Sequence, residues 1–134
     1  MIVREALVAD PRVLAADAGA REAAELLTHP QVRSVLVAEG DRLLGCVTPE
    51  SIVVALAAGV DLRSASARDV CSEDVTTVEP DMPLEEALHL MAEHDLERLP
   101  VTEDGRLVGV LPRSVLRRLA EDESPEADAE PGRE

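Results

Sequence analysis

The chain contains no phenylalanine, tyrosine or tryptophan. Any core it builds must therefore come from Val, Leu, Ile, Ala and Met, the larger of which contribute about 1.5–3 kcal/mol each on full burial. Stability has to accumulate from many small contacts. Lysine is absent as well: the 13 basic residues are all Arg, set against 28 Asp and Glu for a formal net charge of −15. This balance argues against binding nucleic acid or an anionic membrane, because either needs a positive face that displaces counterions. It also leaves the planar, bidentate guanidinium as the sole side-chain cation available to a phosphate. The two cysteines, Cys46 and Cys71, stand in no metal-ligand spacing, which predicts reduced thiols in a reducing compartment. The start has no signal-peptide core, and no apolar run reaches the ~20 residues of a membrane helix. The expected location is the cytoplasm. The histidines, His29, His89 and His94, share no helical face, and there is neither a Gly-x-Ser-x-Gly elbow nor a Gly-rich phosphate loop ending in Lys. No catalytic constellation emerges, so the expectation is a protein that is not an enzyme.

What the sequence does contain is organised around Val75 to Leu119. Two short apolar runs, Leu99-Pro100-Val101 and Leu107-Val108-Gly109-Val110-Leu111, flank Glu103-Asp104-Gly105-Arg106, a hairpin signal in which Gly105 supplies positive φ. Before it, Asp81-Met82-Pro83-Leu84-Glu85-Glu86 announces a helix with Asp81 able to cap it. Leu84, Ala87, Leu88 and Met91 share one face of that helix. After the hairpin, Arg113 to Glu121 reads as a second helix. The unit is a short strand, helix, hairpin and helix.

The unit occurs twice, offset by 64 positions without a gap: Arg4 meets Arg68, Asp17 meets Asp81, Val37 meets Val101 and Gly45 meets Gly109. In the first copy the expected elements are a strand at Arg12-Val13-Leu14, a helix over Ala18 to Thr28, strands Ser34–Ala38 and Leu43–Val47, and a helix over Glu50 to Ala58. In the second, Thr76-Thr77-Val78 is the brief first strand. Val3 to Leu7 and Ala67 to Cys71 are short helical or turn segments that lead into each copy. The expected division is 1–59 for the first repeat, 60–66 for a linker, 67–120 for the second repeat and 121–134 for an acidic tail with too little apolar mass to order.

The Pro-Asp-x-Pro-Leu opening at Pro80 to Leu84, the Leu-Pro-Val strand, and the endings Gly45-Cys46-Val47-Thr48-Pro49-Glu50-Ser51 and Val108-Gly109-Val110 resemble the CBS domain, the module named after cystathionine beta-synthase. The resemblance covers Val3 to Ala120. It implies an α+β tandem CBS pair, or Bateman module, packed with pseudo-twofold symmetry, regulatory in function and standing without a fused effector domain. It further implies an adenosine-containing ligand such as AMP, ATP, NAD or S-adenosylmethionine, with no cofactor required, in a cleft between the repeats. By that pattern Val47, Thr48 and Ser51 share a ligand site with Thr76, Thr77, Leu99, Pro100 and Val101. The second cleft, combining Arg12, Val13, Val35 and Val37 with Pro112 and Val115, is poorer in hydrogen-bonding groups. The ribose-binding Asp of the family's closing motif is replaced by Ser51 in one copy and Val115 in the other. A pair that has lost its ligand and acts through dimerisation or a protein partner is the alternative. The helices after each hairpin are the expected homodimer surface, with Val53, Val54 and Leu56 facing outward and Leu90 as a neighbour.

Overall fold

The computed structural model describes residues 1–10 and 12–114. The expected helix from Arg113 to Glu121 lies almost wholly outside the described residues, as does the acidic tail. In chain order the elements are a 3-10 turn Val3–Glu5, β1 Leu14–Ala15, α1 Ala20–Leu26, β2 Val35–Glu39, β3 Arg42–Val47, α2 Pro49–Ala57, α3 Ala67–Val70, α4 Leu84–His94, β4 Arg98–Glu103 and β5 Arg106–Pro112. The strand order is β1-β2-β3-β5-β4.

These elements fall into two units, one comprising Asp10–Thr76 with Thr102–Val108, the other Met1–Ala9, Thr77–Val101 and the chain from Gly109. In the first, β1 runs parallel to β2 through Leu14 and Val37, and β2 and β3 form an antiparallel hairpin from Val35/Val47 to Glu39/Arg42. β3 meets β5 at Arg42/Arg106, where the Arg106 guanidinium lies 2.9 Å from Asp41. β2 is buried at four successive positions and β3 at its last three, and these strands and the helices share one core. Val35, Val37 and Val47 fill its centre, with Ala20 and Ala23 of α1 and Ala67 and Val70 of α3 against them. Small alanines let helix and sheet approach closely, which compensates for the missing aromatic bulk.

The other unit builds the same arrangement around Val3, Val78, Leu84, Ala87, Met91, Leu99, Val101 and Leu111. Leu99 and Leu111 are fully buried. Leu84, Ala87 and Met91 recur at helical spacing and give α4 its buried face. Leu88, expected on that face, is 37% exposed, because it sits one position past Ala87 and the stripe turns away from it.

Each lead-in segment belongs to the opposite repeat's core. Residues 65–72 bond to the first repeat: Ala20 N–H donates to Ala65 O, Ala67 N–H to Ala18 O, and Cys46 and Ser72 exchange a pair of backbone bonds of 2.9 and 2.7 Å. Residues 1–8 do the same for the second repeat. Leu84 N–H donates to Met1 O, Val3 N–H to Met82 O, and Val8 and Val110 exchange bonds of 2.9 and 2.8 Å. Every one of these contacts has its counterpart 64 residues along.

The exchange explains two departures from the sequence expectations. Asp81 does not cap α4: the Leu84 amide is taken by the Met1 carbonyl, Pro83 is the capping residue, and the Asp81 carboxylate lies 3.5 Å from Arg4. The first strands are also shorter than Arg12–Leu14 and Thr76–Val78. Leu14–Ala15 alone is a strand in the first copy, and in the second a single bridge joins Val78 to Val101. The hairpin turn follows the expectation for Gly105, at φ 81°, and Asp104 joins it at φ 56°, the two positive values of a tight Asp-Gly hairpin turn.

Candidate functional site

The main cavity lies wholly in the unit of Asp10–Thr76 and has a volume of about 870 Å³. That is in the range of pockets that hold a small ligand, roughly 300–1,000 Å³. Its floor is Cys46 at the end of β3, one wall is the first turns of α2, and the other is the lead-in from Asp69 to Asp74. The wall exists because Gly45 allows it: a Cβ there would lie 2.1 Å from the Ser72 carbonyl oxygen. A glycine inside a strand, with no positive φ to require it, marks the close approach of another backbone.

Of the residues expected to form a ligand site, Thr48 and Ser51 line this cavity. They also bond to each other. Thr48 Oγ1 accepts from the Ser51 amide at 3.0 Å, Ser51 Oγ accepts from the Thr48 amide at 2.9 Å, and Ser51 Oγ donates to the Thr48 carbonyl at 3.0 Å. This reciprocal box caps α2, and Pro49 at the first helical position has no amide to satisfy. The Thr48 hydroxyl proton remains available to a ligand, whereas that of Ser51 is committed. Val47 is fully buried in the core behind them. Thr76 is half-buried and Thr77 exposed, in a stretch without regular structure. Leu99, Pro100 and Val101 are buried on β4 in the other unit, where the Pro100 carbonyl accepts from the Val78 amide at 3.1 Å.

The cavity's remaining polar groups, Cys46, Asp69, Cys71, Ser72 and Asp74, were not legible as a site, since the repeat offset alone does not reveal that the lead-ins are exchanged. Both thiols are free. Burial pushes Cys46 above the ordinary thiol value, with Cys71 and Asp74 adding to it. Cys71 is raised first by burial and then by Glu73; Arg68 and a backbone hydrogen bond oppose the rise, and Asp69 adds the least to it. Both are therefore protonated at neutral pH and poor nucleophiles. Iodoacetamide labelling at pH 7, followed by mass spectrometry, should modify both more slowly than the unfolded chain, Cys46 slowest. Because the folded state holds these protons more tightly, their contribution to stability is present below the ordinary thiol value, about 8.5, and is lost as pH rises through the raised folded values. The urea midpoint is expected to fall over that interval.

A family model described as CBS domain matches residues 3–58 and again 67–122. The chain belongs to the CBS-domain family. Its tandem pair is 35% identical over 81 residues to Hypoxic response protein 1 of Mycobacterium tuberculosis, a match covering 60% of this chain and 57% of that protein. The chain thus spans little more than half the length of that relative. Among solved structures the CBS pair resembles CBSX2 in complex with AMP, with a TM-score of 0.71 and 24% identity over 90% of this chain and 96% of that one. It also resembles the CBS domain pair of protein MJ0100 in complex with 5-methylthioadenosine and S-adenosyl-L-methionine, with a TM-score of 0.65 and 21% identity over 92% and 98%. Among the described residues of this CBS pair, no three His, Cys, Asp or Glu side chains converge to hold a metal ion, and no helix is long and apolar enough to cross a membrane.

Proposed function

We propose that this CBS pair is a cytoplasmic regulatory module, without catalysis of its own, that binds an adenosine-containing metabolite. The observation that carries the reading is the cavity at the capped start of α2, which places the Thr48 hydroxyl at the family's closing motif beside a largely apolar surface. Solved CBS pairs of the same fold hold AMP, methylthioadenosine or S-adenosylmethionine. Of the residues that the resemblance implied, Thr48 and Ser51 line this cavity, and the reading rests on those two. Regulation follows only if the ligand prefers one of two conformations of the protein.

The absence of aromatic residues offers a direct test. The purified chain should be nearly transparent near 260 nm, so an absorption band there reports bound adenine, and mass spectrometry after denaturation identifies the compound. Thr48→Val combined with Ser51→Ala should weaken titrated ligand by about tenfold, equivalent to losing a hydrogen bond of ~1.4 kcal/mol. It should also cost about 1 kcal/mol of stability through the lost cap. Unchanged affinity would move the site elsewhere.

A second reading, a dimerisation or protein-interaction module without nucleotide, is favoured by Val53, Val54 and Leu56, which are 63%, 68% and 50% exposed along one helix. In both readings we propose that α2, with the segment after the second hairpin, joins two copies of the chain. Val53→Asp with Val54→Asp is expected to halve the mass measured by light scattering, and an unchanged mass would remove α2 from the interface.

A further inference from the structure

We propose that the cavity at α2 selects its ligand by charge, accepting an adenosyl compound that is neutral or positively charged and rejecting nucleotides that carry a chain of phosphates. The inference rests on the nucleoside-binding reading above and narrows it.

Among the described residues, the charged ones that line the cavity are Glu50, Asp69 and Asp74, with no Arg. Arg68, whose field reaches Cys71, is held 2.7 Å from Glu39 and lines a separate, smaller cavity. A helix start ordinarily offers an anion its free amides, but here they are already occupied. Pro49 has no N–H, the Ser51 amide donates to Thr48 Oγ1 and the Ile52 amide to the Thr48 carbonyl, which leaves at most the Glu50 amide. Glu50 then sets its own carboxylate in the first turn, cancelling much of the positive end of the helix.

A polyphosphate entering this cavity would meet three carboxylates and no cradle of donors. A sulfonium or amino group would meet the same carboxylates favourably, with the neutral sulfurs of Cys46 and Cys71 and the side chain of Val70 providing apolar contact. The net charge of −15 acts in the same direction at longer range, drawing in cations and repelling anions.

Isothermal titration of the full chain with S-adenosylmethionine, methylthioadenosine, AMP and ATP, at about 25 mM and about 300 mM salt, tests the proposal. The expected order is S-adenosylmethionine and methylthioadenosine at least about tenfold tighter than ATP, with AMP between and the advantage of the cation shrinking at high salt. Glu50→Gln with Asp74→Asn alters two exposed side chains and should narrow the gap between S-adenosylmethionine and ATP at least about threefold. Tightest binding of ATP or AMP, or an order insensitive to these substitutions, would overturn charge selection while leaving nucleoside binding intact. Silence from all four ligands would overturn both.

Discussion

Gly45→Ala is expected to lower stability by about 3 kcal/mol or more, an effect at the upper end of overpacking costs. The added methyl would sit 2.1 Å from the Ser72 carbonyl oxygen and 2.9 Å from its carbon. Both are backbone atoms of the residue that Cys46 holds through two hydrogen bonds, so no side-chain rotation relieves the clash. The lead-in must lift away, opening the cavity wall and uncovering Val70 and Ala67. Gly109→Ala should cost less, about 1–3 kcal/mol, because its closest obstacle is the mobile end of Leu7, at 2.6 Å, with the Val8 carbonyl at 2.9 Å. Gly19→Ala, with nothing within 4 Å, should cost at most about 1 kcal/mol, the penalty of alanine at the N-cap of α1. Urea unfolding of the three variants checks the order, and a Gly45→Ala midpoint no lower than that of Gly19→Ala would contradict the close approach.

Leu99→Ala is expected to cost about 2–5 kcal/mol, as for other fully buried leucines replaced by alanine. Leu99 is 0% exposed and shares its cluster with Leu84, Met91, Val101 and Leu111. Met91 is unbranched and can swing partly into the space, which favours the lower half of the range. Val108→Ala, at a position 40% exposed on β5, should change stability by no more than about 0.5 kcal/mol. The size of the Leu99 effect bears on function. A loss of ligand affinity in Leu99→Ala must be measured where the variant is still fully folded, or it reports a collapsed core. Thr48 is the cleaner probe, since its side chain faces the cavity and its structural contribution is a helix cap.

The repeat, the hairpin with Gly105 and the capping of α2 by Thr48 were legible because each depends on residues close in sequence or on a constant offset. The α4 cap was not. Asp81 has the right chemistry at the right distance, but the Met1 carbonyl reaches the Leu84 amide first, and a contact from the far end of the chain leaves no local trace. The same holds for the cavity. Thr48 and Ser51 were visible from the closing motif, whereas Asp69, Cys71, Ser72 and Asp74 became neighbours only through the lead-in's exchange. Gly45 was the one local hint, a strand glycine with no conformational reason to be there. Leu88 misled for a different reason, since an apolar residue at the edge of a stripe satisfies helical periodicity and still faces water.

The crossed lead-ins also govern the order in which the protein can be made. When a ribosome has released residue 59, the first repeat still lacks the segment 65–72, with α3, that closes its core, and the hairpin tip at 102–108 has yet to be synthesised. The second core waits longer, because Val8 finds its partner only when Val110 emerges, at nearly the greatest sequence separation the described chain allows. Contacts this distant must overcome a large loop-closure entropy before they return any stability. The hairpin of β2 and β3 can pair as soon as it has emerged, but each core stays open on one side until its distant segment has been made.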